Sequence, residues 1–317
     1  MVYEALDSLL RAIQIGSLYS LIALGLTLTW AIARVPNLAH AELVTAGAYV
    51  SVVITRFLID NILVAAALAF TMSCTLALLM QYVVYGPLNR RGANIFIMMV
   101  ASFAVSLSMR YVLFVLADIY NMTNITPAIQ LEAVGFFLGS PITNLFLWSV
   151  PVSFATVLLL HLFLVRTTIG KGLRAVAVNN DLALITGVNI RKAVNVSWII
   201  SGGLAGVAGC LLSIIGSANP EVGLEALPQM LAASTIGGFV SLYGTFAGGY
   251  IVGFAENPLM DFLNRAFGVS LAFKPLVSVV VIIVVLLLRP NALADITLPD
   301  MREKLSKLPN LLKKVFR

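Results

Sequence analysis

Residues 193–216 read AVNVSWIISGGLAGVAGCLLSIIG, twenty-four positions without a charged side chain. As a helix, such a run is long enough to cross a hydrocarbon layer of about 30 Å. Further apolar runs fall at 12–32, 41–56, 62–85, 94–116 and 144–165 before it, and at 229–242, 245–258 and 273–288 after it. Lipid cannot satisfy an open strand edge, and long runs without alternation do not describe a barrel. The expectation is an all-α, polytopic transmembrane helical bundle of about 8–10 spans. Several runs fall short of about 20 residues, so some helices should be tilted, broken or re-entrant.

Composition agrees. Of 317 residues, 60% are apolar and 11% charged, where a soluble domain carries about 25% charged residues. That excludes a cytosolic enzyme, a disordered regulator and a secreted disulfide scaffold. Cys74 and Cys210 sit in apolar runs without a CxxC spacing, and the only histidines are His40 and His161. No metal site, cofactor or disulfide framework is indicated.

The net charge of +6 does not point to nucleic acid, because the cations lie in short segments between apolar runs. The connection 166–192 carries Arg166, Lys171, Arg174, Arg191 and Lys192; residues 289–317 carry seven more; Arg90, Arg91 and Arg34 mark two further turns. Together these segments hold fifteen of the 20 basic residues. The connections between them are acidic: Asp60; Asp118 and Glu132; Glu221 and Glu225; Glu256 and Asp261 against Arg265. Lys and Arg are retained on the cytoplasmic side, so the amino terminus is expected outside and the carboxyl terminus in the cytoplasm. The first run is read as a retained helix, since Glu4 and Asp7 precede it where a signal peptide has a basic region.

The usual chemistry of membrane enzymes is missing. There is no HExxH, no GxSxG elbow and no GxxxxGK[ST] loop. Nor does any run carry the ladder of ionisable residues that a proton pump or voltage sensor needs. A non-catalytic role is expected.

The connection TTIGKGLRAVAVNNDLALITGVNIRK, residues 167–192, is longer than joining two spans requires. It predicts an amphipathic helix near 172–178, a polar break at Asn179-Asn180, and a second turn capped by Asn180 or Asp181 and stopped by Gly187. Leu173, Val176, Leu182 and Ile185 should be presented among cations, either to a groove in a soluble partner or to anionic lipid.

Here the residues become recognisable. Gly170-Lys171-Gly172-Leu173-Arg174-Ala175-Val176-Ala177, followed by Asn180-Asp181, Ala183 and Gly187-Val188-Asn189, resembles the cytoplasmic coupling loop of the branched-chain amino-acid family of ATP-binding-cassette importer permeases. The resemblance continues through Tyr19–Thr27, Asn37–Glu42 with Gly47-Ala48-Tyr49, Arg90–Ala93, Leu204–Gly209, Gly237-Gly238, Gly248-Gly249 and Arg289-Pro290, in the family's order. The chain departs from the pattern at Gln229, where a basic residue is common, and at Asn291-Ala292, where a Gly-containing turn is usual.

The resemblance implies a pore-forming subunit in a prokaryotic plasma (inner) membrane, paired with a second homologous permease. It also implies two ATPase subunits on the cytoplasmic face and an extracytoplasmic solute-binding protein. By that resemblance, Gly170 to Ala177, Asp181 and Gly187 carry ATPase coupling. The permease domain is 1–288, including the coupling loop 166–192, and the cytoplasmic tail is 289–317. The expected function is import of branched-chain or related small amino acids. The alternative is a stand-alone secondary transporter or channel for a small polar solute.

Two similar polar breaks interrupt the runs. Pro36-Asn37-Leu38-Ala39-His40-Ala41-Glu42 follows the first, and Asn219-Pro220-Glu221-Val222-Gly223-Leu224-Glu225 follows the sixth. On opposite sides of the bilayer they would mark an inverted repeat. Freed backbone groups must face protein or water, making Asn37, His40, Glu42, Asn219, Pro220, Glu221 and Glu225 candidates for the translocation path. The same Asn37, His40 and Glu42 would also suit a helix cap, with His40 and the helix start as neighbours of Glu42. Arg110 and Lys274 are read as snorkelling to headgroups, and His161 as packing or interfacial. Gly202-xxx-Gly206, Gly244-xxx-Gly248 and Gly249-xxx-Gly253 are read as faces of close helix approach. The tail places Met301, Leu305, Leu308, Leu312 and Val315 on one face and cations around the other, which suits the inner membrane surface.

Overall fold

The structure, a computed structural model, describes residues 2–288; the tail 289–317 lies outside the described residues, with Arg289-Pro290 and the amphipathic face expected there. Helices occupy all nine apolar runs. In order they are α1 (Val2–Ala33), α2 (His40–Phe57), α3 (Ile62–Met80), a π turn at Gln81–Tyr85, α4 (Gly86–Arg90) and α5 (Ile95–Ile119). A hairpin of β1 (Ala133–Phe137) and β2 (Ser140–Thr143) follows, then α6 (Asn144–Arg166), α7 (Thr168–Val178), α8 (Asn180–Ile185) and α9 (Ile190–Ser213). The chain continues through α10 (Val222–Glu225), α11 (Leu227–Ile236), α12 (Leu242–Glu256), α13 (Pro258–Phe267), a short turn at Leu271–Phe273 and α14 (Lys274–Leu288). Among the described residues, six helical stretches are long and apolar enough to cross a membrane: Leu6–Ala33, Ile62–Arg90, Ile95–Ile119, Asn144–Arg166, Ile190–Ser213 and Leu271–Leu288.

The helices run between two ends of opposite character. At the basic end, Arg34 closes α1 in the left-handed region (φ 54°) and its Nη2 donates to the Ala177 carbonyl at 2.8 Å. Asn195 at the start of α9 bonds Tyr82 in the π turn, which brings Arg90 and Arg91 to this end as well. At the acidic end, Thr143 donates to Gln14 at 2.6 Å and Ser8 donates to Asp261. The alternation of basic and acidic connections read from the sequence therefore corresponds to two faces of one bundle. Glu256 departs from it: it is the last residue of α12, only 2% exposed, and not part of a solvated connection.

The central layer is built from α1 and α9, with α12 along α1 and α3 and α2 along α9. The glycine faces sit in these seams. A methyl group at Gly206 would overlap the Ala69 carbonyl, and one at Gly249 would overlap Ser20. Larger side chains there would force the helices apart, as in other small-residue membrane interfaces.

Three of the nine runs lie outside these six stretches, and two of the three begin part way through the bundle. His40, the first residue of α2, places Nε2 3.0 Å from the Ile22 carbonyl. Ile22 lies eleven residues before the end of α1, or about 16 Å up that helix. The segment after Ala33 thus turns back into the bundle, and α2 starts part way through and runs to the acidic end. The second case mirrors the first. After α9, Ala218 pairs with Ile125 at the acidic end, and the chain then re-enters so that Gly223 N donates to Thr45 Oγ1 at 3.0 Å. From there α11 runs towards the basic end. It stops at Ile236, because Gly238 and Phe239 both take left-handed backbone (φ 66° and 59°) before α12 begins. The run 229–242 is therefore a ten-residue half-helix and a turn, which corrects its reading as a span.

This is the inverted arrangement. One long helix crosses, a segment returns, and a half-helix starts at depth, once from each end. The breaks were expected on opposite sides; they enter from opposite ends but meet, with Gly223 so close to Ala41 that a methyl would overlap its carbonyl oxygen.

Candidate functional site

Seven of the helices carry their own side-chain caps, while α4, α10 and α13 have none. Asn61, Asn94, Thr143, Thr167, Asn179, Asn189 and Ser241 each accept a backbone N–H of the helix they open. The two half-helices lack one as well: α2 and α11 start at Ala39 and Ala226 without a side-chain cap. Unpaired amides at that depth would each cost several kcal/mol in lipid, on the order of a lost hydrogen bond or more. At α2 the amides of His40, Ala41 and Glu42 bond the Asn37, Leu38 and Ala39 carbonyls, and a distant helix supplies an acceptor for the two amides just before it. Ser102 Oγ of α5 accepts from Leu38 N at 2.7 Å and Ala39 N at 3.2 Å.

Ser102 begins a polar stripe on α5. One turn on, Ser106 Oγ donates to Glu42 Oε1 at 2.8 Å; a further turn on, Arg110 donates to the same oxygen from Nη2 at 2.5 Å and Nε at 3.1 Å. Glu42 is completely buried, and its Oε2 has no partner among the described residues. Glu42 is thus neither a cap nor a partner of His40, and Arg110 pairs inside the protein and does not snorkel. His40 faces the other way, towards the Ile22 carbonyl and Ser201 Oγ at 3.3 Å. Asn37 faces the π turn: its Oδ1 accepts from Tyr85 at 3.4 Å, while Nδ2 is buried and has no partner among the described residues. Tyr85 in turn stacks on Trp198, with centroids 4.9 Å apart. The three candidates of the first break are buried together, but each serves a different neighbour.

A second buried carboxylate mirrors Glu42. Glu256 Oε2 accepts from Tyr19 at 2.7 Å and Oε1 from Ser278 at 2.5 Å, and Gln229 also bonds it. Ser278 is the one fully buried side chain of α14. One turn before it, Lys274 donates to Asn257 at 2.9 Å, so this cation too points inward and not to headgroups. Both outer helices, α5 and α14, are therefore held to the core through a serine on a buried carboxylate.

In the second break, Asn219 Oδ1 accepts from Glu221 N at 2.8 Å, Pro220 is buried, and Glu221 and Glu225 are exposed. They do not approach Asn37, His40 or Glu42 through any side-chain bond among the described residues.

The 167–192 connection is two helices and not a loop. Thr167 caps α7 through Gly170 N at 2.9 Å, and Gly170 lies against the last turn of α6, where a methyl would overlap the Phe163 carbonyl. The break is capped by Asn179, which accepts from Asp181 N and Leu182 N, both at 3.0 Å; neither Asn180 nor Asp181 is the cap. Gly187 (φ 82°) ends α8 as expected. Leu173 and Val176 point inward, packed with Leu28, Ala31, Ile32 and Ala193, so they are not presented outward. Lys171, Arg174 and Asp181 are exposed; Gly172, Ala175 and Ala177 are partly so. The outward apolar tip consists of Val178 (84% exposed), Leu182, Leu184 and Ile185 (82%). Through Leu173, Val176 and Ala177 this hairpin is fixed to α1, and through Gly170 to α6.

Residues 8–287 match the family described as branched-chain amino acid transport system / permease component. The chain belongs to this permease family. Among relatives, the probable branched-chain amino acid transport permease protein LivH of Methanocaldococcus jannaschii is 30% identical over 299 residues, covering 93% of this chain and 94% of that one. The high-affinity branched-chain amino acid transport system permease protein LivH of Escherichia coli K12 is 28% identical over 308 residues, covering 91% and 94%. A solved structure, PsaBC from Streptococcus pneumoniae in complex with Fab, is similar over 93% of this chain and 99% of that one, at TM-score 0.49 and 13% identity. Family membership and the six spanning helices make this permease a multi-pass membrane protein. Sequence reasoning missed its Ser102-Ser106-Arg110 stripe and the Glu256 network. The i, i+4, i+8 spacing of polar residues in α5 was the available signal for the first.

Proposed function

We propose that this chain is the membrane permease of an ATP-driven importer of branched-chain or related small amino acids, in a prokaryotic plasma membrane with its basic end and carboxyl terminus in the cytoplasm. Supporting the orientation, the cations of 34, 90–91 and 166–192 share one end. Two ATPase subunits dock at that end, on the α7–α8 hairpin. Gly170, Lys171, Gly172, Leu173, Arg174, Ala175, Val176, Ala177, Asp181 and Gly187 shape the lever. A solute-binding protein delivers at the acidic end, and a second homologous permease completes the path. The chain itself performs no covalent chemistry; its domain is 1–288, with 289–317 as a cytoplasmic tail.

The observation that carries this reading is the exposed apolar tip of Val178, Leu182, Leu184 and Ile185 on a hairpin whose inner face is locked to α1. Force applied to such a tip reaches α1, and with it the returning segment and the buried start of α2. Movement there would bring Asn37, His40 and Glu42 to the path from one side. Asn219, Pro220, Glu221 and Glu225 line it from the other, Glu221 and Glu225 being charged and exposed close to where the breaks meet.

Half-helices meeting at depth also suit a secondary transporter working alone. Reconstitution separates the two. The chain with its permease partner, ATPases and binding protein should accumulate labelled leucine only when ATP is supplied inside the appropriate compartment. Accumulation by the chain alone on an ion gradient would favour the second reading.

A further inference from the structure

On the flank of α7, the helices α6, α7 and α12 enclose a pocket of about 120 Å³, of whose lining the roles above use only Arg174. Its walls are aliphatic, with Leu160, Leu164 and Leu242; its polar lining is His161, Arg174 and Tyr243. The Tyr243 hydroxyl and His161 Nδ1 are hydrogen-bonded, with ring centroids 5.9 Å apart, which fixes the imidazole and leaves Nε2 without a partner among the described residues. No carboxylate lines the pocket, and none among the described residues forms an ion pair with Arg174.

Depth defines the surroundings. His161 lies five residues before Arg166, the end of α6, so about 8 Å from that end. The headgroup layer on each side of the hydrocarbon is about 5–8 Å thick. The rest of α6 exposes Phe154, Leu158, Leu159 and Leu162, so the helix that walls the pocket is bordered by acyl chains. A forked guanidinium, a fixed imidazole and a phenol at the headgroup level, over an aliphatic floor, match a phosphate ester carrying a hydrocarbon chain. A zwitterionic amino acid does not fit, because nothing here pairs with its ammonium group. The same argument disfavours choline or ethanolamine headgroups.

The geometry points to a binding site for one anionic glycerophospholipid in this pocket, its phosphate on Arg174, His161 and Tyr243 and its first methylenes against Leu160, Leu164 and Leu242. Because Arg174 stands on α7 while His161 and Tyr243 stand on α6 and α12, the lipid ties the lever to both of those helices.

The test is native mass spectrometry of the purified full chain in detergent, titrated separately with phosphatidylglycerol and phosphatidylcholine. Phosphatidylglycerol should be retained about fivefold more, the discrimination expected of one cation at a membrane surface. Arg174→Gln should erase the preference, and Arg174→Lys should keep most of it. Lys192→Gln removes an equal charge from α9 without touching this pocket and should retain the adduct. Glycerol phosphate, which has no chains, should displace the lipid poorly. The site is refuted by equal retention of the two lipids, by an unchanged preference in Arg174→Gln, by equal loss in Lys192→Gln, or by efficient displacement with glycerol phosphate.

Discussion

Arg110 and Glu42 form a buried ion pair across α5 and α2, with two guanidinium nitrogens on one carboxylate oxygen at 2.5 and 3.1 Å. The pair ends a seam in which α5 meets the core through Ser102, Ser106 and Arg110, while the helix shows most of its apolar side chains outward. A seam of hydroxyls and charges can exchange its partners for water or for a polar solute at far lower cost than an apolar seam could be opened. This makes α5 the helix best able to part from the first break.

Removing one partner of such a pair leaves an uncompensated buried charge, which typically costs about 3–5 kcal/mol. Arg110→Leu should therefore lower the thermal midpoint of the detergent-solubilised chain strongly. Adding Glu42→Gln to it should recover a large part of the loss. Purely additive effects of the two changes would mean that the residues do not interact.

Ser102→Ala leaves Ala39 N without an acceptor, and Leu38 N with only the Pro36 carbonyl, in the turn that leads into α2. A loss of about 1–3 kcal/mol is expected, with faster amide hydrogen exchange at Leu38 and Ala39. Unchanged exchange would show that another group accepts from these amides.

Gly223→Ala sets a methyl on the Ala41 carbonyl, at the point where the two breaks meet. Overpacking of this kind costs about 1–3 kcal/mol. Gly216→Ala, in the same connection but with open space around the added carbon, should be silent in the same melting assay. Equal effects would place Gly223 away from Ala41.

Leu182→Asp and Ile185→Asp alter exposed side chains on α8, so the stability of the isolated chain should shift by no more than about 0.5 kcal/mol. Retention of the ATPase subunits in a pull-down should fall at least about tenfold, as expected when buried interface anchors are made acidic. Full retention would remove the tip from the docking surface.

The helices were legible because each run is apolar over enough residues, and the two ends because their charges differ in sign. The half-helices were not. Residues 229–242 read as one uncharged run, and the backbone at Gly238 and Phe239 divides them. The caps of α7 to α9 could be read locally, as Thr167, Asn179 and Asn189 precede what they cap. The acceptor for the turn before α2 could not, since Ser102 is more than sixty residues away. The roles of Arg110, inside α5, and of Lys274 and Glu256, at helix ends, were hidden for a related reason: a charge in or beside an apolar run looks the same in sequence whether it turns to headgroups or to a buried partner.

The central claim is that the α7–α8 tip lies in the cytoplasm under the ATPases. Cys74 and Cys210 are buried, so a cysteine introduced as Ile185→Cys can be read with a membrane-impermeant maleimide in oriented vesicles carrying the assembled transporter. The account predicts labelling in inside-out vesicles after the ATPases are stripped, protection when they are added back, and none in right-side-out vesicles. Labelling from the outside, or labelling indifferent to the ATPases, would contradict it.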